Sequence, residues 1–400
     1  MIRKQDGFTM VELMITMVIF VLVIVAASNI FTTMLTQFKQ QSRIAESNIE
    51  GNVNLEYFRS EIQKAGFGLP WVLNGINYNE AQNDGTTPWV DTLLNDDNGG
   101  ANSNPPRAVV FEDNIGFNGS DVIAIKATNI AMNEASQNFT SQSNYDEIID
   151  LPVNWAGSGD DLQAGDNIIV IKMIDGKDYV VLQNDGATCY TAFPPAGGFL
   201  PVIYSNNTYL IYGISPNGTA PRMPFNRADF YVRKPTTANS LPQRCAAGNP
   251  TNNPNNGTGI LYKGVVNHTD GNLTEYQLLD CVADMQMYFG LDTNEDGELD
   301  TTSNSLAGMD ASAIRKRLKE IRVFILAQEG QKDPDYVFNN FTGSPAAPYN
   351  NACPGACPTC IHVGDATCLG GDFDLAANIT DYQRYRWKVY TMIIQPYNLR

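Results

Sequence analysis

Apolar residues dominate residues 13–31, near the N-terminus, with almost no polar interruption. As a helix, this run would be about 28 Å long, roughly the thickness of the hydrocarbon core of a bilayer. Arg3 and Lys4 precede it, and positive charge favours the cytoplasmic flank of a span. We therefore expect one membrane-spanning helix, with residues 32–400 outside the cytoplasm.

The apolar pattern continues beyond the span in steps of mostly three and four residues, which is typical of one stripe along a helix. The stripe consists of Met34, Leu35, Phe38, Ala45, Ile49, Val53, Phe58, Ile62 and Ala65. Gly66, Gly68 and Pro70 then end the pattern. The sequence predicts one helix over residues 8–65, about 87 Å long. Its second half is expected to pack under a globular domain, and a free amphipathic coiled coil is the alternative.

Short runs typical of β-strands, separated by Gly, Asn or Asp turns, follow the helix. They cover residues 108–111, 121–127, 167–174, 179–182, 208–213 and 229–233, and further strands are expected at 282–292 and 384–398. Asp175 and Gly176 predict a hairpin between two of these runs. Residues 70–106 and 244–259 are rich in Asn, Gly and Pro and are predicted to be long surface loops.

Gly7-Phe8-Thr9-Met10-Val11-Glu12 stands immediately before the apolar run. A polar leader, a Gly, a Phe and an acid five residues after the Gly resemble the signal of the type IV prepilin peptidase. The chain is therefore similar to type IV pilins and pseudopilins. The resemblance implies cleavage between Gly7 and Phe8 and N-methylation of Phe8, so that the apolar helix stays on the mature protein. An ordinary membrane anchor or an uncleaved signal is the alternative.

Glu12 places a carboxylate beside an apolar span, which is costly unless a cation pairs with it. Cleavage before Phe8 would supply such a cation, the new α-amino group. In the pilin family the corresponding acid is thought to meet the N-terminus of a neighbouring subunit. The resemblance thus implies that Glu12 serves subunit assembly, and that the partners are other pilins, the prepilin peptidase and the inner membrane.

Four later features resemble the PilW-type minor pilins. They are residues 65–68 at the end of the helix, the strand at 282–292, the basic-to-apolar run at 317–328 and the C-terminal strand at 384–398. The implied function is that of a non-catalytic minor pilin in type IV pilus assembly or initiation and surface adhesion. It would reside in the inner membrane with its bulk in the periplasm, and then in the pilus at the cell surface. The alternatives are a minor pseudopilin of a type II secretion system and a pilus-associated adhesin.

The implied fold is α+β and pilin-like: a long N-terminal helix, transmembrane and then amphipathic, packed on an antiparallel β-sheet domain with large insertions. We divide the chain into a cleaved leader at 1–7, the helix at 8–65, an elaborated β-rich region at 66–258 and a pilin-like sheet region at 259–400.

The formal charge of the chain is −17. An acidic surface disfavours the basic groove that nucleic acids require, so we expect no nucleic-acid partner.

Seven cysteines follow the predicted span, in an oxidising compartment that favours disulfides. Cys353, Cys357, Cys360 and Cys368 form a cluster that could also bind zinc together with the nearby His362. Cys189 and Cys245 lie in loop-like surroundings and are candidates for a further disulfide. Cys281 follows an apolar run and is predicted to be a buried free thiol.

Residues 292–300 resemble a calcium loop, with oxygen-bearing side chains at positions 1, 3, 5 and 9 and Gly297 at position 6. The predicted calcium ligands are Asp292, Asn294, Asp296, Glu298 through its carbonyl group, and Asp300. Position 12 is Ser303 rather than Glu, so a further ligand would come from Asp310 or from water. A solvated turn is the alternative.

No catalytic motif accompanies this loop, and we expect no enzyme activity. The two histidines, His268 and His362, are expected at the surface, and the pairs Asp96-Asp97 and Asp160-Asp161 in solvated turns.

Overall fold

The computed structural model describes residues 9–73, 76–82, 85, 90, 92–96, 105–145, 148–149, 161–174, 178–181, 188–195, 207–235, 241–251, 256–339, 357–365 and 367–399. These residues form a long N-terminal helix followed by antiparallel β-sheets. The predicted α+β layout is therefore confirmed.

Four α-helices occur among the described residues: α1 (Met10–Gln63), α2 (Glu134–Gln137), α3 (Ala311–Arg317) and α4 (Leu375–Asn378). The strands in chain order are β1 (Val109–Glu112), β2 (Val122–Ala127), β3 (Phe139–Tyr145), β4 (Ile148–Ile149), β5 (Asn167–Ile174), β6 (Asp178–Val181), β7 (Thr191–Ala192), β8 (Asn207–Ser215), β9 (Asn226–Arg233), β10 (Gly259–Val266), β11 (Leu273–Leu291), β12 (Thr301–Ser303), β13 (Leu318–Glu329), β14 (Cys360–Gly364), β15 (Gly370–Asp374) and β16 (Arg386–Ile394).

Helix α1 has 54 residues, close to the predicted length. The predicted first residue, Phe8, lies outside the described residues. The helix ends just before Gly66 and Gly68, whose φ angles of +81° and +62° are in the left-handed region. Only glycine adopts that region at little cost, which is why these two residues turn the chain away from the helix axis.

The main sheet has the strand order β1-β2-β9-β10-β11-β13-β16, and β12 pairs with β11. A second sheet has the order β4-β3-β8-β5-β6, and β7 pairs with β5. Strands β14 and β15 form a separate two-stranded sheet. All these pairings are antiparallel.

The second sheet is an insertion between two neighbouring strands of the main sheet. Strands β2 and β9 pair with Ala127 opposite Asn226, and β3 to β8 all lie between them in sequence. Strand β9 also pairs with β10, so the main sheet crosses the boundary that we drew at residue 258. The chain therefore leaves the main sheet at the end of β2 and returns to it at the start of the adjacent strand β9. The main sheet stays continuous.

Both faces of the main sheet are covered. One face packs on α1, where Phe58 stands edge-on to Phe230 of β9 with ring centroids 5.0 Å apart. The other face packs on the β14–β15 hairpin, where Phe324 of β13 meets Ile361 and Phe373 in a second apolar cluster. Alternate residues of β13 thus enter different cores, as the period of two in a strand requires.

Each predicted run overlaps an observed strand, with the largest difference in β11. The strands β3, β4, β7, β10, β12, β14 and β15 were not predicted. Strand β11 begins at Leu273, nine residues before the predicted start at 282, because its residues from Leu273 to Leu279 pair with β10. A register irregularity lies between Val282 and Asp284. Asp175 and Gly176 of the predicted hairpin lie outside the described residues. The flanking strands pair, with Ile174 opposite Asp178.

Six charged side chains meet beside strands β2 and β9 of the main sheet: Glu80, Asp96, Arg107, Lys126, Arg227 and Asp229. The Nζ atom of Lys126 is 2.7 Å from Glu80 Oε1 and 2.6 Å from Asp96 Oδ2. Arg227 binds both Glu80, at 2.9 Å, and Asp229, at 2.7 Å. Three cations and three anions therefore balance inside the protein.

Asp96 was expected in a solvated turn, and that expectation is wrong because its side chain is buried in this network. Burial alone would raise the pKa of Asp96, but Lys126 and Arg107 lower it below the usual value. The carboxylate is thus held in its charged form by two cations.

We expect Lys126→Met to lower the free energy of unfolding by about 3–5 kcal/mol, because Glu80 and Asp96 would lose their shared buried cation. The matched control is Lys332→Met, which removes an exposed pair with Asp381 and should cost no more than about 1 kcal/mol. Urea denaturation of the full chain in detergent micelles measures both. A Lys126→Met protein as stable as the control would contradict this account of the network.

Two further acids, Asp121 and Asp284, are buried where β11 passes the start of β2. Burial raises the pKa of Asp121 to about 8 and that of Asp284 to about 7, against the effect of their hydrogen bonds. The folded protein therefore holds these protons more tightly than the unfolded chain. Their contribution to stability is fully present below about pH 4 and is lost as the pH rises through 7 to 8.

Asp284→Asn should remove one part of this pH dependence, since an amide does not ionise. Relative to the wild type, the free energy of unfolding of the variant should rise by about 2–3 kcal/mol between about pH 5 and about pH 9. Denaturation of both proteins across this range gives the difference directly, with the exposed Asp270→Asn as control. A constant difference across the range would show that Asp284 is already ionised at low pH.

Candidate functional site

The first turn of α1 is closed by a reciprocal pair of side chains. The hydroxyl group of Thr9 accepts a hydrogen bond from the amide of Glu12 at 3.3 Å. In return, Glu12 Oε2 accepts from the amide and the hydroxyl group of Thr9, both at 2.9 Å. The other oxygen, Glu12 Oε1, has no hydrogen-bond partner among the described residues. Gly7 and Phe8 lie outside them.

The first half of α1 makes almost no contact with the rest of the protein. Met10–Gln63 is the one helix among the described residues that is long and apolar enough to cross a membrane. None of the residues in its most apolar stretch of 18 is buried. Large apolar side chains such as Phe20 and Phe31 are exposed on all sides of it. This surface needs either lipid or other protein around it.

The predicted stripe on the second half of α1 divides into two faces. Phe58, Ile62 and Ala65 are buried against the main sheet. Ile49 and Val53, one turn apart, are instead 67% and 64% exposed. An apolar face of the helix therefore continues outward from the membrane-spanning part to the level of the globular head.

A buried ion pair fixes the helix on the sheet. Lys263 of β10 donates to Glu61 Oε2 at 2.6 Å and to the hydroxyl group of Tyr57 at 3.1 Å. Lys64 binds the other oxygen of Glu61 at 2.8 Å. Burial lowers the pKa of Lys263, although the charge of Glu61 opposes this shift. The sequence did not point to this pair, because its two members are about 200 residues apart.

Asp292 organises the acidic loop between β11 and β12. Its side chain is buried, and its two oxygens accept hydrogen bonds from the amides of Asp296 at 3.2 Å and Gly297 at 2.8 Å. Lys319 lies 3.5 Å away. Desolvation opposes the charge, but these amides and Lys319 keep the pKa of Asp292 below its usual value.

Asp300 closes the other end of the loop. Its Oδ2 atom accepts from the hydroxyl group of Thr293 at 2.8 Å, from the amide of Thr293 at 2.7 Å and from the amide of Asn294 at 3.1 Å. These bonds lower the pKa of Asp300. The side chains of Asn294 and Asp296 each accept a hydrogen bond from the backbone amide two residues later in the chain, at 2.9 Å. The loop thus presents ionised carboxylates on a folded turn.

Asp310 and Ser303, at or near the twelfth position of the predicted calcium loop, make hydrogen bonds elsewhere. Asp310 accepts from the amide of Ala313 at 2.7 Å and caps α3, and the hydroxyl group of Ser303 donates to Ser305. Among the described residues, which include this whole loop, its carboxylates do not converge as a group of three within 4.8 Å. Glu298 is exposed, and its amide donates to Asp296.

The disulfides differ from the predicted pairing. Cys245 is bonded to Cys281 rather than to Cys189, and Cys189 is a buried free thiol. Both expectations were wrong, because Cys281 has a positive φ of +54° at the irregularity of β11, where its side chain reaches Cys245.

Within the cysteine cluster, Cys357 is bonded to Cys360, and Cys368 is also disulfide-bonded. Cys353 lies outside the described residues. Cys357, Cys360 and Asp374 form the one close group of possible metal ligands among the described residues. The disulfide removes both thiolates that a zinc ion would need there.

Both histidines were expected at the surface and are instead buried. His268 accepts a hydrogen bond from the amide of Arg222 at 3.1 Å and lies 2.9 Å from Asn226 Oδ1. His362 binds Asp372 at 2.9 Å. Burial and the charge of Arg222 lower the pKa of His268 to about 4, so this imidazole is neutral at physiological pH.

Residues 2–28 match the family model described as the prokaryotic N-terminal methylation motif. This chain carries a type IV pilin-like N-terminus. The matched range includes Gly7, Phe8 and Glu12. No curated protein and no solved structure matches the chain.

The type IV pilin-like N-terminus implies, in general, processing by the prepilin peptidase and association with other pilins. Together with a single apolar helix, it fits membrane anchoring followed by entry into a pilus or pseudopilus.

Proposed function

We propose that this protein is a minor pilin that takes part in the assembly or initiation of a type IV pilus and is displayed at the cell surface. The observation that carries the proposal is the type IV pilin-like motif on a helix whose large apolar side chains are exposed between Met10 and Phe38 and again at Ile49 and Val53. Its role would be structural rather than catalytic. The inner membrane would hold the subunit before assembly.

Glu12 would act after cleavage between Gly7 and Phe8. With Oε2 occupied by Thr9, the carboxylate still has Oε1 for a cation from outside the chain. The new α-amino group of a neighbouring subunit, methylated on Phe8, would supply the positive charge for this oxygen. In a low-dielectric filament core such a pair would fix the axial register between subunits.

The exposed face that includes Ile49 and Val53 would contact the helices of other pilins. Since these residues lie beyond the membrane-spanning part, the packing surface would reach from the lipid to the head. This favours a subunit that stays in a filament over one that only resides in the membrane.

A second role, adhesion, is favoured by the inserted sheet. Strands β3 to β8 add a second layer of structure that the continuity of the main sheet does not require. Such an enlarged head suits a minor subunit that presents a binding surface. An abundant subunit would instead have to repeat the enlarged head all along the filament.

We further propose that the loop at 292–300 binds calcium through Asp292, Asn294, Asp296, Asp300 and the carbonyl group of Glu298. The ionised carboxylates and the turn around Gly297, whose φ is +96°, support the proposal. Binding would require Asp296 and Asp300 to rotate from their present hydrogen bonds toward the ion.

We expect Glu12→Ala to insert into the membrane normally but to enter filaments at least about tenfold less, because the intersubunit ion pair is lost. The matched control is Glu46→Ala, which removes an exposed acid from the same helix beyond the apolar span. Mass spectrometry of membranes and of sheared filaments gives both quantities and shows whether the mature chain begins at Phe8.

Equal incorporation of Glu12→Ala and the control would refute the role of Glu12. An unprocessed Met1 N-terminus on the wild-type protein in filaments would refute the processing. A deletion strain that keeps its pili but loses protein secretion would instead indicate a type II secretion pseudopilin.

Calcium at about 5 mM should stabilise the full chain in micelles by about 1–2 kcal/mol, as expected from a dissociation constant of about 10⁻⁴ to 10⁻³ M. Asp296→Ala should abolish this shift in thermal unfolding. Asp270→Ala, which removes an exposed Asp that likewise accepts an amide hydrogen two residues ahead, should keep it. If chelator and calcium give the wild type the same midpoint, the loop is only a turn.

A further inference from the structure

A cavity of about 280 Å³ opens where the second sheet meets the loop between β10 and β11. Its size is near the lower end of the range of small-molecule sites, about 300–1,000 Å³. Its wall includes Met132, before α2, and Ser215, at the end of β8. Asn267 and Tyr276, from the β10–β11 hairpin, face them. The insertion and the main sheet therefore form this cavity together.

The lining is free of formal charge. None of the fourteen residues that line the cavity, all of them described, is Asp, Glu, Lys or Arg. The protein as a whole carries a net charge of −17. A cavity without cations, on such an acidic protein, disfavours anionic ligands.

Several polar groups of the wall have unused hydrogen-bonding capacity. The side-chain hydroxyl groups of Thr219, Thr269 and Tyr276 make no hydrogen bond with any described residue. The side-chain nitrogen of Asn267, Nδ2, likewise makes no hydrogen bond with any described residue, whereas its Oδ1 atom accepts from the hydroxyl group of Thr274.

Apolar surface lies beside these groups. Tyr276 is 38% exposed and Met132 is 52% exposed, and both line the cavity. A ring next to hydroxyl and amide groups suits a ligand that has one apolar face and an edge of hydroxyl groups.

Two buried residues that line the cavity, His268 and Asn226, are held by hydrogen bonds. Because Nδ1 of His268 accepts from the amide of Arg222, its Nε2 carries the proton and donates to Asn226 Oδ1. Asn226 in turn donates to the carbonyl groups of Thr128, at 2.7 Å, and Ile214, at 3.1 Å. This chain of hydrogen bonds joins the hairpin loop to both sheets, so little order has to be gained when a ligand binds.

We propose that this cavity binds an uncharged sugar residue of a surface glycan, with the sugar face on Tyr276 and its hydroxyl groups on Asn267, Thr269 and Thr219. The inference gives a ligand class to the adhesive role, and in that respect it rests on the proposed function. The binding step itself needs no filament.

The test uses the full chain in zwitterionic micelles that contain no sugar headgroup. Saturation-transfer NMR titrations use the methyl glycosides of glucose, galactose, mannose, N-acetylglucosamine and N-acetylgalactosamine. Sialic acid and glucuronic acid glycosides form the anionic arm. At least one neutral glycoside should bind saturably, with a dissociation constant of about 1–10 mM.

Tyr276→Ala should weaken this binding about fivefold or more through loss of the stacking face. Thr269→Val, which keeps the shape of an exposed side chain, should weaken it about two- to tenfold. The control Tyr397→Ala removes an exposed tyrosine outside the cavity and should leave binding unchanged.

The proposal is overturned if no neutral glycoside binds, if the anionic glycosides bind as tightly, or if both cavity variants bind like the wild type. Because filaments are absent from this assay, a failure here leaves the assembly function to be judged by the Glu12 variant alone.

Discussion

Helix α1 runs from Met10 to Gln63 without a break. One continuous backbone therefore joins an exposed apolar half to a half that packs on the globular head. Its last turns are held by Phe58 against Phe230 and by Glu61 against Lys263. A charged pair in that position is stable only with full hydrogen bonding, which Tyr57 and Lys64 complete. The position of the head relative to the apolar half of the helix depends on this contact.

The elements that could be predicted from sequence are those with local signals. Strand β5 has the predicted bounds, 167–174, because its apolar run is flanked by turn residues. The end of α1 follows from Gly66 and Gly68, whose left-handed conformation is a local property. The N-terminal motif is also local, and the family match covers it.

What could not be predicted depends on contacts between distant residues. Asp96 resembles any other loop acid until Lys126 and Arg107 surround it. The Cys245–Cys281 bond depends on an irregularity inside β11, which no pattern in that strand reveals. The cavity beside His268 exists only because an insertion between β2 and β9 returns to the tip of another hairpin.

The buried thiol of Cys189 bears on the order of events during folding. Burial raises its pKa to about 11, so in the finished protein it stays protonated and reacts slowly with disulfides. In the unfolded chain the same thiol is exposed, and six other cysteines are available to pair with it. Burial of Cys189 before the other cysteines have paired would therefore prevent a wrong disulfide, which is a matter of folding order rather than of final geometry.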